Sequence, residues 1–417
     1  MRGFLNYIGW MCLTGLLALT SCTADKGETV VSPSVPQPTQ PVQTPIALSA
    51  YTAQQTAGTR ADEGLLAEGG IPNNQSIGVY AYYHQGTEDI DGAWSGYETP
   101  NFMFNQQATN DADNDAFSYS PLKYWPNTNY DKLSFIGYYP YTTTFGAGNS
   151  SSDTYGIALL NGSNDTGLPA FELTVSDDVD NQVDFLISDL LTDLPNGTSA
   201  VSPSSASGRD NLTVVDKVRL LFHHATSKVT IRIAIDEDIR QDFMSMTISN
   251  LELTNIFRKG TVTPSYSSGT TTIGVTGASD SLTYTIVDAA AVPVVNHLTD
   301  TYLMLPQALA YKADDLTKTA KINLSYSITL RSHGTVYTYV EGNPVATDHY
   351  TYSNTASLPL AKLQRPSDNS EIDEWLPNHH YVYTIRLGAE RIEFTGQVVE
   401  WGEEVPWDDI VVDQIGT

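Results

Sequence analysis

Residues 375–401 read WLPNHHYVYTIRLGAERIEFTGQVVEW, and this stretch decides the fold class. Tyr381, Tyr383, Ile385 and Leu387 alternate with Val382, Thr384 and Arg386. That period of two predicts a half-buried strand. Gly388-Ala389-Glu390 is short and carries a glycine, so it can turn. A second strand then sets Ile392, Phe394 and Val398 on one face and Glu393, Thr395 and Gln397 on the other. Gly396 interrupts it, and the apolar side passes to Val399 and Trp401, as a bulge at a glycine would produce. The stretch reads as a β-hairpin.

From Ser76 onward the chain repeats this grammar. Short β-rich runs at 77–82, 101–104, 132–139, 171–175, 183–187, 214–222 and 228–235 are separated by turn residues. Further runs lie at 246–257, 261–264, 282–287, 302–305, 322–330 and 335–340. No window sustains a helical stripe. Many short strands at this spacing predict an all-β chain of β-sandwich architecture. Residues 236–243 (DEDIRQDF) are the expected boundary, giving an N-terminal sandwich over 46–240 and a C-terminal one over 241–417. Each half has a normal domain size, and 417 residues suffice for two cores.

The first 21 residues read as a targeting signal, with Arg2 ahead of an apolar run at 8–19. Leu19-Thr20-Ser21-Cys22 resembles a bacterial lipobox, in which Cys22 is acylated; an ordinary signal peptide with a chance cysteine is the alternative. Residues 22–45, with five prolines among Ser, Thr, Gln and Val, read as an extended tether. Cys12, the other cysteine, lies in the signal, so disulfides, thiolate catalysis and cysteine metal sites are not expected in the mature chain. Residues 46–51 (IALSAY) alternate weakly, as a strand would. Residues 54–69 follow as an exposed, protease-accessible loop with Arg60 as its single basic residue.

The net charge is −27, from 48 acidic and 21 basic residues. Such a surface repels phosphate backbones and argues against nucleic acid as a partner. His223-His224 and His379-His380 invite a metal reading, but neighbours on a strand point to opposite faces. Asp111, Asp113 and Asp115 have calcium-loop spacing, yet Ala116 stands where the turn glycine belongs and no bidentate acid follows. Gly92-Ala93-Trp94-Ser95-Gly96 lacks the GxSxG spacing of a nucleophile elbow. No enzyme signature of any specificity is present, and no cofactor or metal is expected. The 24 Tyr, 12 Phe and 6 Trp leave room for aromatic stacking on a glycan, although most such rings serve cores and sheet faces.

Several stretches together carry a family resemblance. They are Phe117-Ser118-Tyr119, Lys123-Tyr124-Trp125-Pro126, residues 133–140 (LSFIGYYP) and Gln182-Val183-Asp184-Phe185-Leu186. Residues 221–229 (LFHHATSKV), Leu305-Pro306-Gln307 and 375–383 (WLPNHHYVY) continue the series. With the lipobox, the chain resembles the fimbrillin-family (type V pilin) lipoproteins of Bacteroidales over nearly its whole length. The resemblance implies two tandem transthyretin-like β-sandwich domains behind the lipidated leader, anchored in the outer membrane through lipid on Cys22. It implies cleavage between Arg60 and Ala61 by an arginine-specific protease, removing the first strand within 46–60. It implies polymerisation with other fimbrillin subunits, self or tip and anchor, by a donor strand within 391–417. Ile392, Phe394, Val398, Val405, Ile410 and Val412 are the donor side chains so implied, with Trp407 and Val411 beside them. Asp280-Ser281-Leu282 resembles the short O-glycosylation sequon of the same bacteria. The alternative reading is an uncleaved, monomeric surface lipoprotein that binds a glycan or a host protein.

Overall fold

The computed structural model describes residues 44–52, 70–90, 92–112, 116–128, 130–146, 155–195, 217–235, 244–294, 297–340, 343–365, 368–388 and 392–401. The first ten strands are β1 (Ala47–Thr52), β2 (Ser76–His84), β3 (Met103–Ala112), β4 (Ala116–Ser118), β5 (Lys132–Tyr139), β6 (Gly156–Leu159), β7 (Phe171–Thr174), β8 (Leu186–Ser188), β9 (Leu191–Pro195) and β10 (Lys217–His224). Then come β11 (Ser227–Ile235), β12 (Met244–Ser267), β13 (Thr270–Val294), β14 (His297–Met304), β15 (Gln307–Ala308) and β16 (Lys321–Val340). The last are β17 (Asn343–Pro359), β18 (Leu363–Gln364), β19 (Glu371–Ile372), β20 (Glu374–Trp375), β21 (His379–Leu387) and β22 (Ile392–Glu400). The all-β expectation is met.

The strands β2-β3-β4-β1-β10-β8-β5 are hydrogen-bonded neighbours in that order, and β5 also pairs with β2, so they close into a ring with β9 appended to β5. Alternation fills the ring. Leu48, Val79, Phe135, Leu186, Leu220 and Phe222 point inward and are buried together. The intervening residues also find cover. Tyr80, Tyr82, Tyr138 and Ile187 pack outside the ring against Phe171, Leu173, Val262 and Leu305.

A four-stranded sheet, β14-β11-β21-β22, supplies a third core. Val229, Ile231, Tyr383 and Ile385 on its inner face meet Ile248, Leu253, Ile322 and Leu324 of β12 and β16. The runs at 246–257 and 261–264, expected as separate strands, are one long strand kinked by register shifts near Asn250, Leu253 and Lys259. One end of β12 pairs with β16 and the other with β7. Its side chains therefore serve two cores, Ile248 and Leu253 in one and Val262 in the other. Ser227–Ile235, assigned from sequence to the first half, pairs with β14 and β21. The expected boundary at 236–243 lies outside the described residues.

The hairpin of β21 and β22 is present, with two corrections. First, β21 is central, and Val382 and Thr384 on its second face are as buried as Tyr383. Second, Gly396 forms no bulge: the register runs without a shift from His379–Glu400 to Leu387–Ile392. Glycine is there because a Cβ would come within 2.8 Å of Ile372 Cδ1 and 3.3 Å of Leu363 Cδ1. Gly396→Val should therefore cost about 1–3 kcal/mol through overpacking, read as a lowered urea midpoint with an unchanged slope.

Candidate functional site

The first strand holds a special place in the ring. It runs parallel to β10, with Ala47 opposite Lys217 through to Thr52 opposite Phe222. Its other edge is thin. Leu48 pairs with Phe117 of β4. Below that, Ile46 N–H donates to the Lys123 carbonyl (2.9 Å) and Trp125 N–H to the Thr44 carbonyl (3.0 Å). The Tyr119 hydroxyl donates to the Ile46 carbonyl at 2.8 Å. Ile46, Leu48 and Ala50 are almost fully buried in the ring core beside Phe117, Trp125 and Phe222. Burying a side chain such as Ile or Leu is worth about 1.5–3 kcal/mol. The strand thus completes the core of a ring to which it is joined mainly by backbone pairing and two large side chains. Without it, β10 and β4 would face each other across an apolar slot with unpaired backbone groups.

The expected processing and lipid sites, Arg60, Ala61 and Cys22, lie outside the described residues, as do Val405, Ile410 and Val412. The other expected donor positions belong to β22. Phe394 is buried in the core shared with Tyr383 and Ile385, and Ile392 and Val398 pack against it. At the end of this strand Trp401 stacks face to face on His224, centroids 3.8 Å apart. His224 is buried, its Nδ1 2.8 Å from Asp184 Oδ1. The end of β22 is therefore fixed to the last residue of β10, the strand that carries β1. The adjacent pair His223-His224 singled out His224 in the sequence; nothing there indicated Trp401 as its partner.

The remaining candidates have structural employment. His223 Nε2 lies 3.2 Å from Asp189 Oδ1, on the side of β10 away from the His224–Asp184 pair. His380 Nε2 lies 2.8 Å from Thr230 Oγ1, and His379 Nδ1 lies 2.7 Å from the Pro377 carbonyl oxygen. Asp111 is exposed, while Asp113 and Asp115 lie outside the described residues. Among the described residues no three metal-ligating side chains converge. The Gly92–Gly96 segment is a closed loop: Trp94 N–H donates to Asp193 Oδ1 at 2.7 Å, and Ser95 N–H and Gly96 N–H donate to Glu98. Trp125, Trp375 and Trp401 are buried, and the exposed rings include Tyr97, Tyr311 and Tyr350. Ser281, in the sequon-like triplet, is exposed.

His84 lies edge-on to Trp94, with Nε2 2.9 Å from Ser134 Oγ and Nδ1 3.5 Å from Glu98 Oε1. Burial lowers its pKa, against the opposing pull of Glu98 and Asp193. The folded chain thus resists a proton that the unfolded chain takes up near pH 6.5. Stability from this residue is present above that pH and is lost as pH falls toward the depressed folded value. His84→Gln, which keeps a polar partner for Ser134, should flatten the loss of stability seen in urea titrations between pH 7 and 5.

These features define an all-β protein in which the first described strand completes a closed ring. A family model described as fimbrillin-like matches residues 59–401, and the chain belongs to that family. It is 30% identical over 159 residues to the fimbrium subunit Fim1C of Phocaeicola vulgatus, an alignment covering 37% of this chain and 37% of that protein. Among solved structures it is similar to a fimbrial protein from Bacteroides vulgatus, with a TM-score of 0.48 and 16% identity, covering 85% of this chain and 99% of that one. It is also similar to the tip fimbrial protein Mfa3 from Porphyromonas gingivalis with C-terminal truncation, with a TM-score of 0.36 and 9% identity, covering 86% and 100%.

Proposed function

We propose that the chain is a structural subunit of a surface fimbrium that assembles by strand exchange. The observation that carries this reading is the position of β1: terminal among the described strands, parallel to β10, and the closing member of the ring. In this reading the precursor reaches the outer membrane on lipid at Cys22. Cleavage between Arg60 and Ala61 frees β1 from the rest of the chain, leaving it held by noncovalent contacts alone. Its departure opens a slot lined by Phe117, Val218, Leu220 and Phe222. A strand from the next subunit satisfies the exposed backbone edges and fills the slot with alternate side chains. The role is adhesive and architectural, with fimbrial subunits as partners.

The donor is narrowed by packing. Withdrawing Ile392, Phe394 and Val398 would uncover Tyr383 and Ile385 in the donor's own core. Residues 402–417 lie outside the described residues; Val405 with Trp407, or Ile410 with Val412, offer apolar groups at alternate positions. The test is cleavage of the full-length precursor with an arginine-specific protease, followed by a denaturing gel without boiling. A heat-sensitive ladder that Arg60→Ala abolishes supports assembly. Cleavage after Arg60 that yields only monomer points instead to a monomeric surface binder.

A further inference from the structure

The sheet edges are unequally protected. A strand at the end of a sheet presents unpaired N–H and C=O groups, and charges, bulges, prolines or short length ordinarily blunt it. The terminal strands β6 and β9 are only four and five residues long. Glu393 and Glu400 lie in β22, Asp300 in β14, and Asp280 and Asp288 in β13, whose register against β12 also shifts repeatedly. The strand β17 has none of these devices over residues 350–358 (YTYSNTASL). That stretch holds no Asp, Glu, Lys, Arg or Pro in a chain of net charge −27. It pairs with β16 in unbroken register from Tyr350–Leu330 to Leu358–Ile322. Among the described residues β16 is its one sheet neighbour.

The pattern of the stretch is self-complementary. Tyr352, Ala356 and Leu358 lean on the core shared by β12 and β16. Tyr350 continues that face, 50% exposed, with its ring 6.1 Å from that of Tyr352. Thr351, Ser353, Thr355 and Ser357 form the other face and are exposed. Turned about Asn354 and laid antiparallel on a second copy of itself, the strand sets Tyr350 opposite Leu358 and Tyr352 opposite Ala356 on one face. On the other it sets Thr351 opposite Ser357 and Ser353 opposite Thr355. Hydroxyl pairs of this kind are favourable across strands, as is an aromatic ring against an apolar side chain. No like charges meet. Pro359, which has no N–H to give, ends the pairing on one side and the charge of Asp348 on the other.

We propose that this edge joins two copies of the chain, β17 against β17 about a two-fold axis at Asn354, into one continuous sheet. The paired length is about 30 Å of strand and allows about eight to ten interchain backbone hydrogen bonds. The partner is a second copy because the stretch matches itself residue for residue in this register. The net charge of −27 makes two copies repel elsewhere, and this uncharged edge is where they approach at least cost. The contact is isologous, so it closes at two and does not propagate. It is smaller than the roughly 20–30 residues a side of a standard stable interface, so the pair is reversible and forms where copies are concentrated. The inference concerns the uncut chain and does not depend on exchange of β1.

The experiment is sedimentation equilibrium of the full-length, uncut chain in detergent over a wide range of protein concentration, with hydrogen exchange by peptide mass spectrometry at both ends of that range. The average mass should rise toward twice that of the monomer, and peptides covering 350–358 should gain protection as it does. Ser353→Lys with Thr355→Lys sets like charges directly opposite across the axis, on exposed side chains that face away from the core, and should weaken pairing about tenfold. The β16 amides should stay protected in that variant. An equal mixture of it with a chain carrying Ser353→Asp and Thr355→Asp should restore pairing, because the opposed charges then differ in sign. A parent chain that stays monomeric at every concentration would overturn the proposal. So would undiminished pairing of the lysine variant, a mixture that fails to pair, or association that protects another strand and leaves 350–358 unchanged.

Discussion

Leu48→Asp unseats the first strand. Leu48 is buried in the ring core and lies in register with both Val218 of β10 and Phe117 of β4. A carboxylate there has no cation among these apolar neighbours, and an unpaired buried charge costs about 3–5 kcal/mol or shifts its protonation instead. The expected result is local. Residues 44–52 lose hydrogen-exchange protection and become sensitive to protease, while β11, β21 and β12 keep theirs. Leu48→Ala removes methyl groups without adding charge and should cost about 2–5 kcal/mol, depending on how far Phe117 and Phe222 collapse into the space. If Leu48→Asp left 44–52 as protected as before, the strand would not be held by its core side chains.

Trp375→Ala strikes the other core. Trp375 is buried, and its Nε1–H donates to the Tyr383 hydroxyl at 2.9 Å. Truncation leaves a large cavity and removes the donor to that buried oxygen, so a loss of about 3–5 kcal/mol is expected in urea unfolding. Trp375→Phe retains most of the volume and separates the two effects, with a loss of about 1–3 kcal/mol. A Trp375→Ala chain as stable as the parent would mean that this core is not the one holding β21.

The hairpin of β21 and β22 shows what is legible in sequence. Alternation at 381–387 identified the strand and its core face, because side-chain direction follows a strict period of two. It missed that Val382 and Thr384 are also buried, since burial of the second face depends on a layer that local periodicity does not encode. Gly396 was read as a bulge. Its true cause, the approach of Ile372 and Leu363, comes from residues far away in the local pattern. The same limit applies to β12, which the sequence reading divided into runs at 246–257 and 261–264. Pairing with β7, β13 and β16 carries one strand through both.

At the candidate site, the strand at 46–51 was legible from weak alternation alone. Its parallel pairing with β10 was not, because the contact joins residues about 170 positions apart. Nor was the Trp401–His224 stack, which joins the end of β22 to β10.

The central claim is that β1 is the strand exchanged during assembly. The direct measurement is to cut the full-length precursor after Arg60, isolate the heat-sensitive oligomers, and quantify by mass spectrometry the peptide ending at Arg60 that contains Ile46, Leu48 and Ala50. The account predicts oligomers depleted of that peptide, with 402–417 protected from exchange in its place. Oligomers that retain it in equal proportion to the rest of the chain would contradict strand exchange at this ring.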